Sequence, residues 1–244
     1  MEWDFGRLAP VGWYPVTESH DASQADGASS RLYPTVKRLA DVHIALAALA
    51  GVAPVMALAA AAVKLTSKGP VLYRGVRAGM GGRPFEMLKF RTMVAGADRL
   101  GGPSTSDNDP RVTAVGAFLR RFKLDELPQL INVLRGEMSV VGPRPEVLRY
   151  VSRYTESERA ILRVRPGITD WASIWNADEG GVLAGARDPD RAYEVLIQPT
   201  KLQLQLRYVH TRSFLSDLRI IVYTIRRIID AEFCPRELAD IPRL

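Results

Sequence analysis

The 244-residue chain has a single cysteine, Cys234, so no internal disulfide and no thiolate cluster for zinc or iron–sulfur can form within it. Its three histidines, His20, His43 and His210, are far apart and show no metal-ligand spacing. Gly75, Gly79, Gly81 and Gly82 lie close together, but no Gly-Lys-Ser/Thr follows and no long helix starts there. A phosphate loop and a dinucleotide fingerprint are therefore rejected in favour of a β-turn. Zinc-finger, RNP-like and helix-turn-helix patterns are lacking too, and the basic residues are interleaved with acidic ones, which argues against nucleic acid as a partner. The first thirty or so residues have no apolar period and no signal-peptide core, and residues 1–33 read as a mobile tail.

What is present is a chain of 47% hydrophobic and 25% charged residues with a net charge of +6, neither disordered nor a polytopic bundle. The positive balance points to an anionic partner such as lipid or a phosphorylated substrate. One long apolar stretch, Val42–Val63, covers 22 residues, and as a straight helix of about 33 Å it is long enough for a hydrocarbon core of about 30 Å. Pro54 sits in its middle, where a helix loses a hydrogen bond and bends. Lys37 and Arg38 precede it and Lys64 and Lys68 follow it. Positive flanks on both sides suit a segment that enters and leaves by the same leaflet. A re-entrant helix–break–helix over residues 34–68, with Pro54 at the break, is the preferred reading. A bitopic span and a buried soluble helix are the alternatives.

Residues 69–244 read as a mainly helical catalytic domain with a small β-hairpin, so that the fold class is α+β with a membrane-inserted helix. VLYRGVRAG alternates apolar and polar residues, and a glycine-rich turn leads into RPFEMLKFRTM, a pattern of two short strands. Helical spacing marks residues 112–121, LDELPQLINVLRGEM up to Gly136, and residues 156–164. Residues 140–145 form a rigid proline turn, Trp171–Trp175 is a strand-like apolar run, and residues 201–229 are helical with a break near Ser213.

The chemistry gathers around Asp125-Glu126, at the start of a helix. Acidic residues there also serve as caps that complement the helix dipole, and on their own they carry no more than that reading. Around them stand Arg120 and Arg121, Lys89 and Arg91 on either side of Phe90, and Arg144 between Pro143 and Pro145. Together these suggest guanidinium forks that hold a diphosphate beside a carboxylate. Such cations would keep the carboxylate's pKa low and the group ionised as a nucleophile, while a second carboxylate holds Mg²⁺.

From Lys37 to about Ile229 the chain resembles the monotopic phosphoglycosyl transferases, the bacterial sugar transferase family, in its short catalytic-core form. The resemblance is carried by KRLAD (37–41), LTSKGPVLYRGVRAG (65–79), KFRTM (89–93), the block 109–146 that contains LDELPQL and GPRPE, and RPGITDWASI (165–174). It implies a ping-pong reaction on the cytoplasmic face of the bacterial inner membrane. Asp125 attacks a nucleoside-diphosphate sugar, usually a UDP-sugar, UMP leaves, and polyprenyl phosphate collects the phosphosugar to begin a surface glycan. By motif position Glu126 becomes the Mg²⁺ ligand or activates the acceptor. Arg144 and Arg120 grip phosphates with Lys89 and Arg91 in support, and Pro166, Gly167 and Thr169 shape the nucleotide or sugar pocket. Ala53-Pro54 stands where some relatives have Ser-Pro. The rival reading is an inactive, membrane-anchored scaffold of the same fold, and a homodimer stays open. Which sugar is moved is not legible, although residues 176–200 are where specificity would be sought.

Overall fold

The apolar stretch is the second half of one 38-residue helix, α1 (Ser29–Thr66), in a computed structural model that describes residues 29–242. Positions 1–28 of the expected tail lie outside the described residues, and the last five positions of that tail already open α1. The helix continues through Pro54, so the break expected there is not recorded. Among the described residues it is the one helix long and apolar enough to cross a membrane.

One stripe of α1 meets the rest of the chain at helical spacing. Ala45, Ala48, Leu49 and Val52 pack on Met87, Leu130, Val133 and Met138. Met56, Ala59, Ala60 and Val63 pack on Phe90 and Leu119. The alanines matter here, because small side chains at the contact let helices approach closely. The opposite face leaves Leu46 and Leu58 exposed. The basic–acidic motif before the apolar stretch fastens the helix. Lys37 Nζ donates to Asp217 at 2.7 Å, and Arg38 donates to the Val133 and Leu134 carbonyls at 2.6 and 3.1 Å. Asp41 accepts from Ser139 Oγ at 2.7 Å and from Val140 N at 3.1 Å.

After α1 comes the expected hairpin, β1 (Leu72–Ala78) with antiparallel β2 (Pro84–Phe90), paired from Leu72↔Phe90 to Ala78↔Pro84. Gly81 and Gly82 at its tip have φ of 70° and 74°, as a turn of this kind requires. Helix α2 (Ala114–Arg121) starts at Thr113, whose hydroxyl accepts from Gly116 N at 3.0 Å, and α3 (Gln129–Arg135) ends on Gly136. Strands β3 (Ser139–Val141) and β4 (Gly167–Thr169) form a second, parallel pair, and β3 takes in the start of the expected 140–145 turn. The connection holds α4 (Leu148–Val151) and a 3₁₀ turn, Glu158–Arg163, within the expected 156–164 helix.

Trp171–Trp175 is a helix, α5, not a strand. Asp170 caps it by accepting from Ser173 N at 2.7 Å, and Trp171, Ala172, Ile174 and Trp175 are all buried. A short helix buried nearly all round has no polar face to reveal its period, which is why it looks like a strand in sequence. Short helices α6 (Glu179–Val182) and α7 (Pro189–Ala192) lead through a π-helical turn, Tyr193–Ile197, into α8 (Gln198–Thr211) and α9 (Phe214–Ile229). Ser213 caps α9, at the expected break. The largest core cluster lies between α5, α8, α9 and β3 and includes Trp171, Tyr193, Tyr208 and Ile220. The outer face of α9 exposes Leu215, Leu218, Val222, Ile225 and Ile229.

Candidate active site

The site begins at an unusual joint. Lys123, just after α2, has φ of 55°, the one positive value at a non-glycine among the described residues. Such a conformation at a side-chain-bearing residue costs about 1 kcal/mol and persists where its surroundings hold it. Here the ammonium of Lys123 donates to the Ala177 carbonyl at 2.8 Å. The bend turns the chain into a 3₁₀ turn, Leu124–Glu126, which presents the two carboxylates side by side ahead of α3. They are therefore not caps of that helix: no side chain caps its first turn.

The two carboxylates have different surroundings. Glu126 Oε1 accepts from Lys89 Nζ of β2 at 3.1 Å and, in a still closer contact, from Arg144 Nη2. The guanidinium and the ammonium hold its pKa at about 2 in spite of burial. Both bonds fall on Oε1, so Oε2 has no hydrogen-bond partner among the described residues. Asp125 is 6% exposed and likewise accepts no hydrogen bond among the described residues. Burial raises its pKa, and the neighbouring Glu126 charge adds to this, while Lys89, Arg120 and Arg144 pull the other way. The low pKa expected for Asp125 is thus reversed. Cations surround it, but none touches it, and desolvation dominates.

Arg144 is set by its main chain as well as its tip. Its N–H donates to Asp170 Oδ2 at 2.9 Å, and Nη1 donates to the Ile168 carbonyl at 2.8 Å. Asp170 and Lys123 are the site residues that sequence reasoning missed. The two motifs that contain Arg144 and Asp170, GPRPE and RPGITD, become neighbours only through the β3–β4 pairing. Arg120 Nε donates to Thr92 Oγ1 at 2.9 Å, within electrostatic reach of Asp125.

Arg91 lies elsewhere. Its Nη2 donates at 2.8 Å to the carbonyl and the hydroxyl of Ser67, so that it caps the end of α1 instead of facing Asp125. Pro166, Gly167 and Thr169 act through backbone. The Pro166 carbonyl accepts from Ser139 N, Gly167 N donates to the Pro143 carbonyl, and the Thr169 carbonyl accepts from Gly142 N. A Cβ on Gly167 would lie 2.1 Å from Gly142 N, so only glycine permits this approach. These residues hold the Pro143-Arg144-Pro145 turn in place. Pro143, Arg144, Pro145, Pro166 and Tyr154 also line a cavity beside that turn.

The bacterial sugar transferase model matches residues 32–231. The chain belongs to that family. Among relatives, the Escherichia coli (strain K12) UDP-glucose:undecaprenyl-phosphate glucose-1-phosphate transferase is 38% identical over 90% of this chain and 44% of its own length. A protein of the same name from Caulobacter vibrioides is 38% identical over 80% of this chain and 70% of its own. An Aeromonas hydrophila relative, the UDP-N-acetylgalactosamine-undecaprenyl-phosphate N-acetylgalactosaminephosphotransferase, is 33% identical over 90% of this chain and 49% of its own. This member of the sugar transferase family thus spans less than half the length of the first and third of these proteins.

Proposed function

We propose that the chain transfers a sugar 1-phosphate from a UDP-sugar to undecaprenyl phosphate through a covalent intermediate on Asp125, and so starts a bacterial surface glycan. The observation that carries this reading is the contrast between the two carboxylates. Glu126 is ion-paired with Lys89 and Arg144, whereas Asp125 is desolvated, accepts no hydrogen bond among the described residues and is close to three cations. A desolvated carboxylate with a raised pKa is a stronger nucleophile than a solvated one once it is ionised. One Asp125 oxygen attacks the sugar-bearing phosphorus, the bond to the bridging oxygen breaks, and UMP departs. A phosphate oxygen of undecaprenyl phosphate then attacks that phosphorus, and the bond to Asp125 breaks to restore the carboxylate. Arg144, Lys89 and Arg120 stabilise the charge that builds on the phosphoryl oxygens.

Mg²⁺ fits this donor set. Among the described residues Glu126 Oε2 has no hydrogen-bond partner and no cluster of three ligating side chains is present, so phosphate oxygens and water would complete the shell, as is usual for this ion. When bound, it would neutralise diphosphate charge.

The membrane is the second half of the reading. The two arms of the apolar stretch, before and after Pro54, pack on the same body. A body on one side of a bilayer cannot touch both halves of a straight span, which argues against a bitopic crossing and supports a segment held at one leaflet, with Pro54 as the point where it would bend on insertion. The exposed apolar faces of α1 and α9 supply a surface that lies in the interface, with Arg226 and Arg227 near the end of α9 to meet anionic headgroups. The cytoplasmic leaflet, where nucleotide sugars are available, is the side that serves the reaction.

The test is a panel of UDP-sugars, with UDP-glucose and UDP-N-acetylgalactosamine first, and undecaprenyl phosphate in nanodiscs, scored by UMP release and by labelled phosphosugar on the protein. Asp125→Asn should release no UMP and carry no label while it remains folded and membrane-bound. Turnover by that variant, or a strict need for both substrates before any UMP appears, would overturn the covalent route.

A further inference from the structure

Nothing in the hydrophobic pattern of α8 sets Lys201, Gln205 and Tyr208 apart, yet they stand at i, i+4 and i+7 and share one face of the helix. All three reach into residues 141–146, the segment that delivers Arg144. Lys201 Nζ donates to Glu146 Oε2 at 2.8 Å and to Tyr193 Oη at 2.8 Å, and the Tyr193 hydroxyl itself donates to the same carboxylate. Gln205 Nε2 donates to the Arg144 carbonyl at 3.1 Å and to Asp170 Oδ2 at 3.0 Å. Tyr208 Oη lies 3.2 Å from the Val141 carbonyl and 2.8 Å from Asp217 Oδ1.

We propose that this face of α8 is a positioning element that sets Arg144 against Glu126 and the substrate phosphates, with Gln205 as its central residue. The inference rests on the transfer reaction proposed above. The β3–β4 ladder stops short of the Pro143-Arg144-Pro145 turn, and neither proline can donate a main-chain hydrogen bond. Backbone bonds reach the Pro143 and Glu146 carbonyls, but at Arg144 itself both main-chain groups are taken by side chains. Asp170 takes the Arg144 N–H, Gln205 takes the Arg144 carbonyl and Asp170 together, and Lys201 with Tyr193 holds Glu146 two residues on. Gln205 and Tyr208 are each 1% exposed, where an apolar side chain of similar volume would carry no desolvation cost. Their bonds converge on the main chain around one functional side chain. Small displacements of a phosphate-gripping guanidinium are costly to rate, because bidentate geometry tolerates little error.

The test compares Gln205→Leu with Leu204→Ala, a buried apolar truncation at the adjacent position of α8. Gln205→Leu should lower kcat/KM for the UDP-sugar by about 10–100-fold. Leu204→Ala, at an equal or greater loss of thermal stability, should stay within about threefold of the parent. Tyr208→Phe, which keeps the ring and removes only the hydroxyl, should fall between the two. A readout independent of turnover is the Glu126 component of thermal stability at pH 7, taken as the coupling between Glu126→Gln and Arg144→Gln in a double-mutant cycle, which isolates their contact from the Lys89 pair. It should shrink in Gln205→Leu and persist in Leu204→Ala. Activity that falls in step with stability in all three variants, or an unchanged Glu126 component in Gln205→Leu, would overturn the proposal. If the parent turns over no donor at all, the transfer reading fails, while the Glu126 component still decides whether α8 positions Arg144.

Discussion

Glu126→Gln offers the sharpest check on the electrostatics of the site, and it needs no substrate. In the folded protein Lys89 and Arg144 hold the Glu126 carboxyl at about 2, against an ordinary value of 4.5. The folded state therefore takes up this proton less readily than the unfolded chain. The resulting stabilisation is complete above pH 4.5 and is lost as the pH falls towards 2. From that difference it is worth roughly 3 kcal/mol at neutral pH. The glutamine amide keeps the shape and an acceptor oxygen but not the charge, so the variant should lose about this amount at pH 7 and almost nothing near pH 2. For a chain of this size the deficit corresponds to a fall of about 6–12 °C in Tm. Thermal unfolding of both proteins in the same nanodiscs, followed between pH 3 and pH 7, gives the difference curve directly. A difference that is flat with pH, or a variant as stable as the parent at pH 7, would refute the claim that two cations hold Glu126.

Other perturbations address different parts of the structure. Arg144→Lys should lower kcat/KM at least 100-fold in the UMP-release assay, because an ammonium cannot reach Glu126 and the Ile168 carbonyl together as the fork does. Gly116→Ala should destabilise the chain by about 1–3 kcal/mol in thermal unfolding, since its Cβ would sit 1.9 Å from the Thr92 carbonyl oxygen. Its activity should fall as well, because Thr92 also receives the Arg120 bond. In a Cys234→Ser background, Thr35→Cys and Lys68→Cys, both exposed positions, should be labelled by an impermeant maleimide in inverted membrane vesicles and protected in right-side-out ones. Opposite labelling of the two sites would mean that α1 crosses the bilayer.

Much of the scaffold is written in local patterns. Alternation marks the hairpin, glycine marks its tip, the apolar run marks the second half of α1, and Ser213 marks the break between α8 and α9. Each of these is decided by residues next to one another in the chain, which is why a periodicity reading reaches them. Asp125, Glu126, Lys89, Arg144 and Arg120, which the structure brings together, were also legible, because their residue types suit a diphosphate. Arg91 shows the limit. Two residues from Lys89, it has the same charge and the same neighbourhood in sequence, but it turns to the end of α1.

Sequence by itself determined which side chains could do chemistry here and roughly where the hairpin and the longer helices lie, because composition and short-range spacing encode propensity, capping and charge. Only the tertiary structure decided which of those side chains share a site and what state they are in. The parallel pairing of Ser139–Val141 with Gly167–Thr169 sets Asp170 beneath Arg144, over a separation of 26 residues that no local pattern reports. Burial raises both carboxyls, but only Glu126 is ion-paired, so the first is pushed up and the second down although the two are adjacent in the chain. Desolvation and ion pairing depend on what surrounds a group in space, and those surroundings arise only when distant segments pack.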